Sequence, residues 1–163
     1  MLLLISKGAQ VSAPAAGVSG RTAVQAAAGG GYMSIVKLLL DKGAGVNEAV
    51  SVWGGGMTAL HGAAAGGYQA VVKLLLDKGA NIDQTAVQSA AEGGYKAVVE
   101  LLLEKGGKAD MESVMGAAAG GYEALAKLLV DKGATGSRDY ALLGVAAGGY
   151  ESVVKLLLTY KTG

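Results

Sequence analysis

A glycine pair followed by tyrosine, and six residues later by a run of leucines, recurs along this chain, and no other feature limits its fold so tightly. Tyr32, Tyr68, Tyr95, Tyr122 and Tyr150 each follow Gly-Gly, at steps of 36, 27, 27 and 28 residues. The leucine runs are Leu38 to Leu40, Leu74 to Leu76, Leu101 to Leu103 and Leu156 to Leu158, with Leu128, Leu129 and Val130 in the fourth copy. Self-similarity at such a period marks one supersecondary unit that cannot bury its apolar face alone and does so against its neighbours. Five copies therefore predict a stack of units, each contacting the next, in place of one wrapped core.

Within a unit, Ile35, Val36, Leu38, Leu39 and Leu40 leave polar gaps at Lys37 and Asp41, the stripe of a helix buried on one face. Gly43, Gly79, Gly106 and Gly133 follow charged pairs and predict where these helices stop, because glycine takes the left-handed backbone that closes a helix. Ahead of each lies a shorter helical segment, Thr22 to Ala28, Thr58 to Ala64 and Thr85 to Ala91. Thr22 with Gln25, and Thr85 with Gln88, have the spacing of a capping box. The unit reads as a helix hairpin turned at Gly-Gly-Tyr. With 28 Gly, one Trp and no Phe, a core built on aromatic anchors is excluded, and the helices must be thin and close.

Thr58, Ala59, Leu60 and His61 stand where ankyrin repeats carry Thr-Pro-Leu-His, and Val71, Val72, Leu74 to Leu76, Gly79, Ala80 and Asn81 match that family's second helix and its closure. Over essentially its whole length the chain resembles an ankyrin repeat protein. The resemblance implies an all-α solenoid, here one N-terminal half repeat (1–12) and five helix pairs (13–47, 48–83, 84–110, 111–137, 138–163) in a single array. There are departures. Tyr replaces the family's turn His, and Gln25 and Gln88 replace the tetrapeptide His. Glu112 to Met115 and Tyr140 to Leu143 lose the tetrapeptide altogether. The last three units are also shorter than the family's roughly 33 residues, at the connection where ankyrin repeats project a hairpin finger. Fingers remain possible only at Gln10 to Arg21, which holds Pro14, and at Val46 to Met57.

Charge and composition then exclude several functions. A net charge of +1 with no basic run supplies no phosphate-neutralising stripe, so nucleic acid is not expected as a partner. Zero Cys removes disulfides and thiolate metal sites. No apolar run approaches the ~20 residues that span a bilayer, and Met1 to Ile5 lack the length and basic leader of an export signal. The expectation is a soluble, intracellular and cytoplasmic chain that does not engage membranes.

Nothing in the sequence assembles a catalytic, cofactor or metal site, or a pocket for a small-molecule substrate. His61 is the single imidazole and falls in the tetrapeptide slot, where side chains bond backbone and tie units together. Gly17, Gly20, Arg21 and Thr22 lack the first glycine, the lysine and the preceding strand of a phosphate loop. Asp41, Asp77, Glu104 and Asp131 are expected on successive helices roughly 10 Å apart; with Lys42, Lys78, Lys105 and Lys132 adjoining, they read as a solvated outer face. The five tyrosines read as a structural ladder along the turns.

Binding is a different matter. Family resemblance implies contacts through finger tips and the concave face of the first helices. Those concave positions are Gly29-Gly30, Ala65-Gly66, Glu92-Gly93, Ala119-Gly120 and Ala147-Gly148, almost all tiny. The distinctive side chains flank the groove, and the partner-binding candidates are Arg21, Trp53, Met57, Gln84, Glu92, Met111 and Asp139. The expected function is a protein-protein interaction scaffold, as a segment of a larger intracellular protein. The alternative is a self-assembling structural protein, because Leu2 to Gly8 and Val153 to Tyr160 lack the polar outer face of a capping repeat.

Overall fold

In the computed structural model, residues 21–48 and 57–159 are described, and they form ten α-helices in five pairs. The pairs are α1 (Ala23–Gly29) with α2 (Met33–Asp41), α3 (Ala59–Ala65) with α4 (Gln69–Asp77), α5 (Gln84–Glu92) with α6 (Lys96–Glu104), α7 (Met111–Ala119) with α8 (Glu123–Asp131), and α9 (Arg138–Ala147) with α10 (Glu151–Thr159). The chain divides into two compact units, Met1–Asn81 and Ile82–Gly163. The first holds α1 to α4 and the second α5 to α10. The expected half repeat at 1–12, Pro14 and Trp53 lie outside the described residues.

Every hairpin turn is closed by the same backbone chemistry. In the first, Tyr32 N–H donates to Ala27 O at 2.9 Å and Gly31 N–H to Ala28 O at 3.1 Å, a Schellman closure that needs the left-handed φ of 73° at Gly31. The long helix ends likewise, with Ala44 N–H on Leu39 O and Gly43 N–H on Leu40 O. The predicted stops at Gly43, Gly79, Gly106 and Gly133 all carry positive φ.

The helix starts follow the sequence in the first unit and depart from it in the second. Thr22 and Gln25 form the expected capping box, and Thr58 accepts the His61 N–H. The box at Thr85 and Gln88 does not form. Asp83 caps α5 instead, accepting Ala86 N–H at 2.9 Å, while the Thr85 hydroxyl donates to the Asp83 carboxylate at 2.7 Å. Asp110 and Ser137 cap α7 and α9 in the same way. First helices consequently lengthen from 7 residues in α1 and α3 to 9 in α5 and α7 and 10 in α9. The connections ahead of these helices shorten further, because the finger is absent from the sequence and two or three of the remaining residues are wound into helix. What remains between α6 and α7 and between α8 and α9 is a single parallel bridge: Met111 N–H donates to Thr135 O, and Thr135 N–H to Ala109 O.

In the first unit, Ala27, Ala28, Ala63 and Ala64 are buried between α1 and α3, which approach so closely that a Cβ on Gly62 would stand 3.4 Å from Gly29 Cα. In the second, Ala90, Ala91, Ala117 and Ala118 pack between α5 and α7, with Leu102, Leu129 and Leu157 fully buried beneath the long helices. Each such leucine contributes about 1.5–3 kcal/mol, so the core is held by many small contacts.

Candidate partner-binding surface

The two units tie their first helices by different means. Gln25, 6% exposed, donates from Nε2 to Glu48 O at 2.7 Å and Met57 O at 2.9 Å, holding both ends of the connection that leads into α3. Asn47 adds a second tie, donating to Gly79 O and accepting Asn81 N–H. In the second unit, Gln88 donates to Asp110 Oδ2 at 2.9 Å. Asp110 Oδ1 accepts both the N–H and the hydroxyl of Ser113, at 2.7 and 2.5 Å.

The tyrosines lie over glycine. A Cβ on Gly30 would meet the Tyr32 ring at 2.5 Å, and one on Gly31 the Tyr68 ring at 2.6 Å. In the second unit, Tyr95, Tyr122 and Tyr150 cover Gly93, Gly120 and Gly148, and Tyr122 also covers Gly94 of the preceding turn. The Tyr150 hydroxyl donates to Ala119 O at 3.3 Å. Within each unit these rings therefore sit against turn backbone, as a ladder requires, while keeping an exposed edge.

On the outer face, Lys78 pairs with Asp41 at 2.9 Å, and this hydrogen bond holds the Asp41 carboxyl below its ordinary pKa. Both partners are well exposed, so the pair is solvated surface, and ion pairs of this kind add little stability.

Of the sequence candidates, Arg21, Met57, Gln84, Glu92 and Asp139 are exposed, whereas Met111 is not. Met111 is 2% exposed and sits against Gly136. Its selection as a surface residue is corrected: capping by Asp110 starts α7 at this residue, and the bridge to Thr135 folds it inward. Trp53 lies outside the described residues. In the first unit Arg21 precedes the cap of α1, and Met57 precedes that of α3. In the second, Gln84 opens α5, Glu92 closes it and Asp139 lies in the first turn of α9.

Glu92 lines a groove. That groove, about 300 Å³, runs over α5, α7 and α9 and brings together Glu92, Glu112, Met115, Tyr140 and Tyr150 above Gly116 and Gly144. Glu112, Met115 and Tyr140 were not singled out from the sequence. A signal existed: they occupy the slot from which the tetrapeptide is missing.

A family model for ankyrin repeats in three copies matches residues 1–86 and 63–138. The chain belongs to the ankyrin repeat family. The crystal structure of the human ASB11 ankyrin repeat domain is similar to it at 26% identity and a TM-score of 0.80, covering 99% of this chain and 78% of that one. No curated protein sequence matches the chain. Among the described residues no helix is long and apolar enough to cross a membrane, and no group of three or more His, Cys, Asp or Glu is placed to hold a metal ion.

Membership in the family gives His61 a context. It is the third residue of α3, its N–H held by the Thr58 hydroxyl at 3.2 Å, the position at which Gln25 completes the capping box of α1. His61→Gln is thus expected to keep the helix start and to change stability by no more than about 1 kcal/mol. Thermal unfolding of the variant checks this.

Proposed function

We propose that this ankyrin repeat chain is an intracellular protein-interaction module that acts without catalysis, its partner contacts lying on the inner face of the first helices within each unit. Ankyrin repeats are in general protein-protein interaction modules, and the observation that carries the reading here is the make-up of that inner face. Tyrosine rings cover the turn glycines, so contact chemistry falls to exposed side chains of the first helices and their starts, Met57 in the first unit and Glu92 and Asp139 in the second. Arg21, Gln84 and Trp53 complete the proposed contact set, with Trp53 as the one large aromatic anchor in the second long connection.

Partner capture by the wild-type chain should weaken at least tenfold in Trp53→Ala and Glu92→Ala while the melting temperature stays within about 2 °C. A large fall in melting temperature with unchanged capture would instead make Trp53 a cover for the stack and sink its role as anchor.

One observation favours the second reading, association of copies. Leu143 and Leu158 are 68% and 64% exposed, whereas Leu40, Leu76 and Leu103, at the Leu158 position of earlier pairs, are half-buried and Val130 is buried. Molecular mass measured across a concentration range distinguishes the readings: a mass that rises with concentration and is returned to the monomer by Leu143→Glu with Leu158→Glu supports association, and a constant monomer removes it.

A further inference from the structure

We infer that the groove over α5, α7 and α9 is a seat for one arginine side chain, presented by an extended basic segment of a partner protein. This rests on the interaction-module reading and names the chemistry of its partner.

The groove exists because two glycines let neighbouring side chains cross. A Cβ on Gly116 would stand 2.6 Å from Glu92 Cγ, and one on Gly144 would run into the Met115 thioether. Glu92 therefore lies over α7 and Met115 over α9, each reaching one helix beyond its own. Glu112 brings a second carboxylate from α7, and Tyr140, 57% exposed, stands on α9 as an open ring. Tyr150 closes the far side, its hydroxyl tied to Ala119 O.

Charge selects the occupant. Two carboxylates and no Lys, Arg or His line the groove. The ion pairs of Lys78, Lys96 and Lys155 engage other carboxylates, Asp41, Glu100 and Glu151. A cationic guest is thus attracted to the two carboxylates. Shape narrows the choice further. A planar guanidinium forks onto carboxylates and stacks on an aromatic face, which a compact ammonium does less well. Met115 and Val145 offer apolar wall to the aliphatic stem.

Two other cavities were weaker. The notch at Lys108 and Lys132 would suit an anion, but it lies just beyond the C-terminal ends of α6 and α8, where the helix dipole opposes one. The groove between α8 and α10 mixes Glu123 with Lys127 and Lys155 and selects nothing.

The test titrates the full chain, labelled with ¹⁵N, with the peptide acetyl-Gly-Ser-Arg-Ser-Gly-amide and with its citrulline and lysine versions. The arginine peptide should shift the amide signals of Gly116, Ala119, Gly144 and Tyr150, and the neutral citrulline isostere should bind at least tenfold more weakly. Glu92→Gln with Glu112→Gln, both exposed positions, should lose at least tenfold in affinity with an unchanged melting temperature. Equal binding of citrulline, or full affinity in the double variant, overturns the seat. Lysine binding as tightly as arginine overturns the choice of guanidinium. Shifts confined to Arg21 and Met57 would reject this groove yet leave the module reading intact. Arginine-selective shifts here, in a chain that captures no protein, would keep the seat and remove the module.

Discussion

Asp110→Ala is expected to lower unfolding stability by about 3 kcal/mol, the largest loss from any single polar substitution in the second unit. Asp110 is 2% exposed and Ser113 fully buried, so neither can turn to water for a replacement bond. The carboxylate caps α7, takes the Ser113 hydroxyl and anchors Gln88 of the preceding pair. Truncation removes the cap and strands two side-chain donors, Gln88 half-buried and Ser113 fully buried, and leaving a buried donor unpaired costs more than the bond itself contributes. Asp83→Ala is the control, because Asp83 caps α5 with the same geometry from an exposed position and should cost only about 1 kcal/mol. Denaturant unfolding of the two variants measures the difference. Equal losses would show that Asp110 acts as a helix cap alone.

That contrast also explains how far the sequence could be read. Helix pairs, turns and stops were legible because their chemistry is local: Thr22 faces its own Gln25, and a left-handed glycine closes each helix whatever surrounds it. At α5 two caps compete within three residues. Thr85 with Gln88 has the stronger sequence pattern, yet Gln88 is drawn away by Asp110, 22 residues on, and Asp83 takes the helix start. No local rule registers a partner at that distance. The same displacement misplaced Met111, read as a side chain flanking the groove, which instead begins a longer helix with its side chain in the core.

The groove was hidden for a related reason. Glu112, Met115, Tyr140 and Leu143 registered as loss of the tetrapeptide, a statement about what the slot no longer does. Only the structure shows that α7 and α9 place the replacements beside Glu92, with glycine beneath them. In the first three pairs this slot holds Thr with Gln or His, polar side chains at the helix start, and in the last two it is released to carry surface chemistry.

Gly94→Ala should cost about 3 kcal/mol, and its excess over Gly121→Ala isolates what the tyrosine ladder contributes. Gly94 and Gly121 occupy the same turn position in successive pairs, with φ of 71° and 77°, so an alanine Cβ meets the same left-handed penalty of about 1–2 kcal/mol at each. Their surroundings differ. Nothing lies within 4 Å of a Cβ on Gly121, whereas one on Gly94 would enter the Tyr122 ring. That ring is also packed over Gly120, in its own turn, so it cannot yield without leaving the backbone it covers. The excess at Gly94 should therefore approach the cost of expelling the ring, and Tyr122→Ala in the Gly94→Ala background should recover most of it. A double-mutant cycle by thermal or denaturant unfolding reads this coupling directly. Equal losses at Gly94 and Gly121, with no recovery on removing Tyr122, would reduce the tyrosines to surface decoration and end the ladder as a structural element.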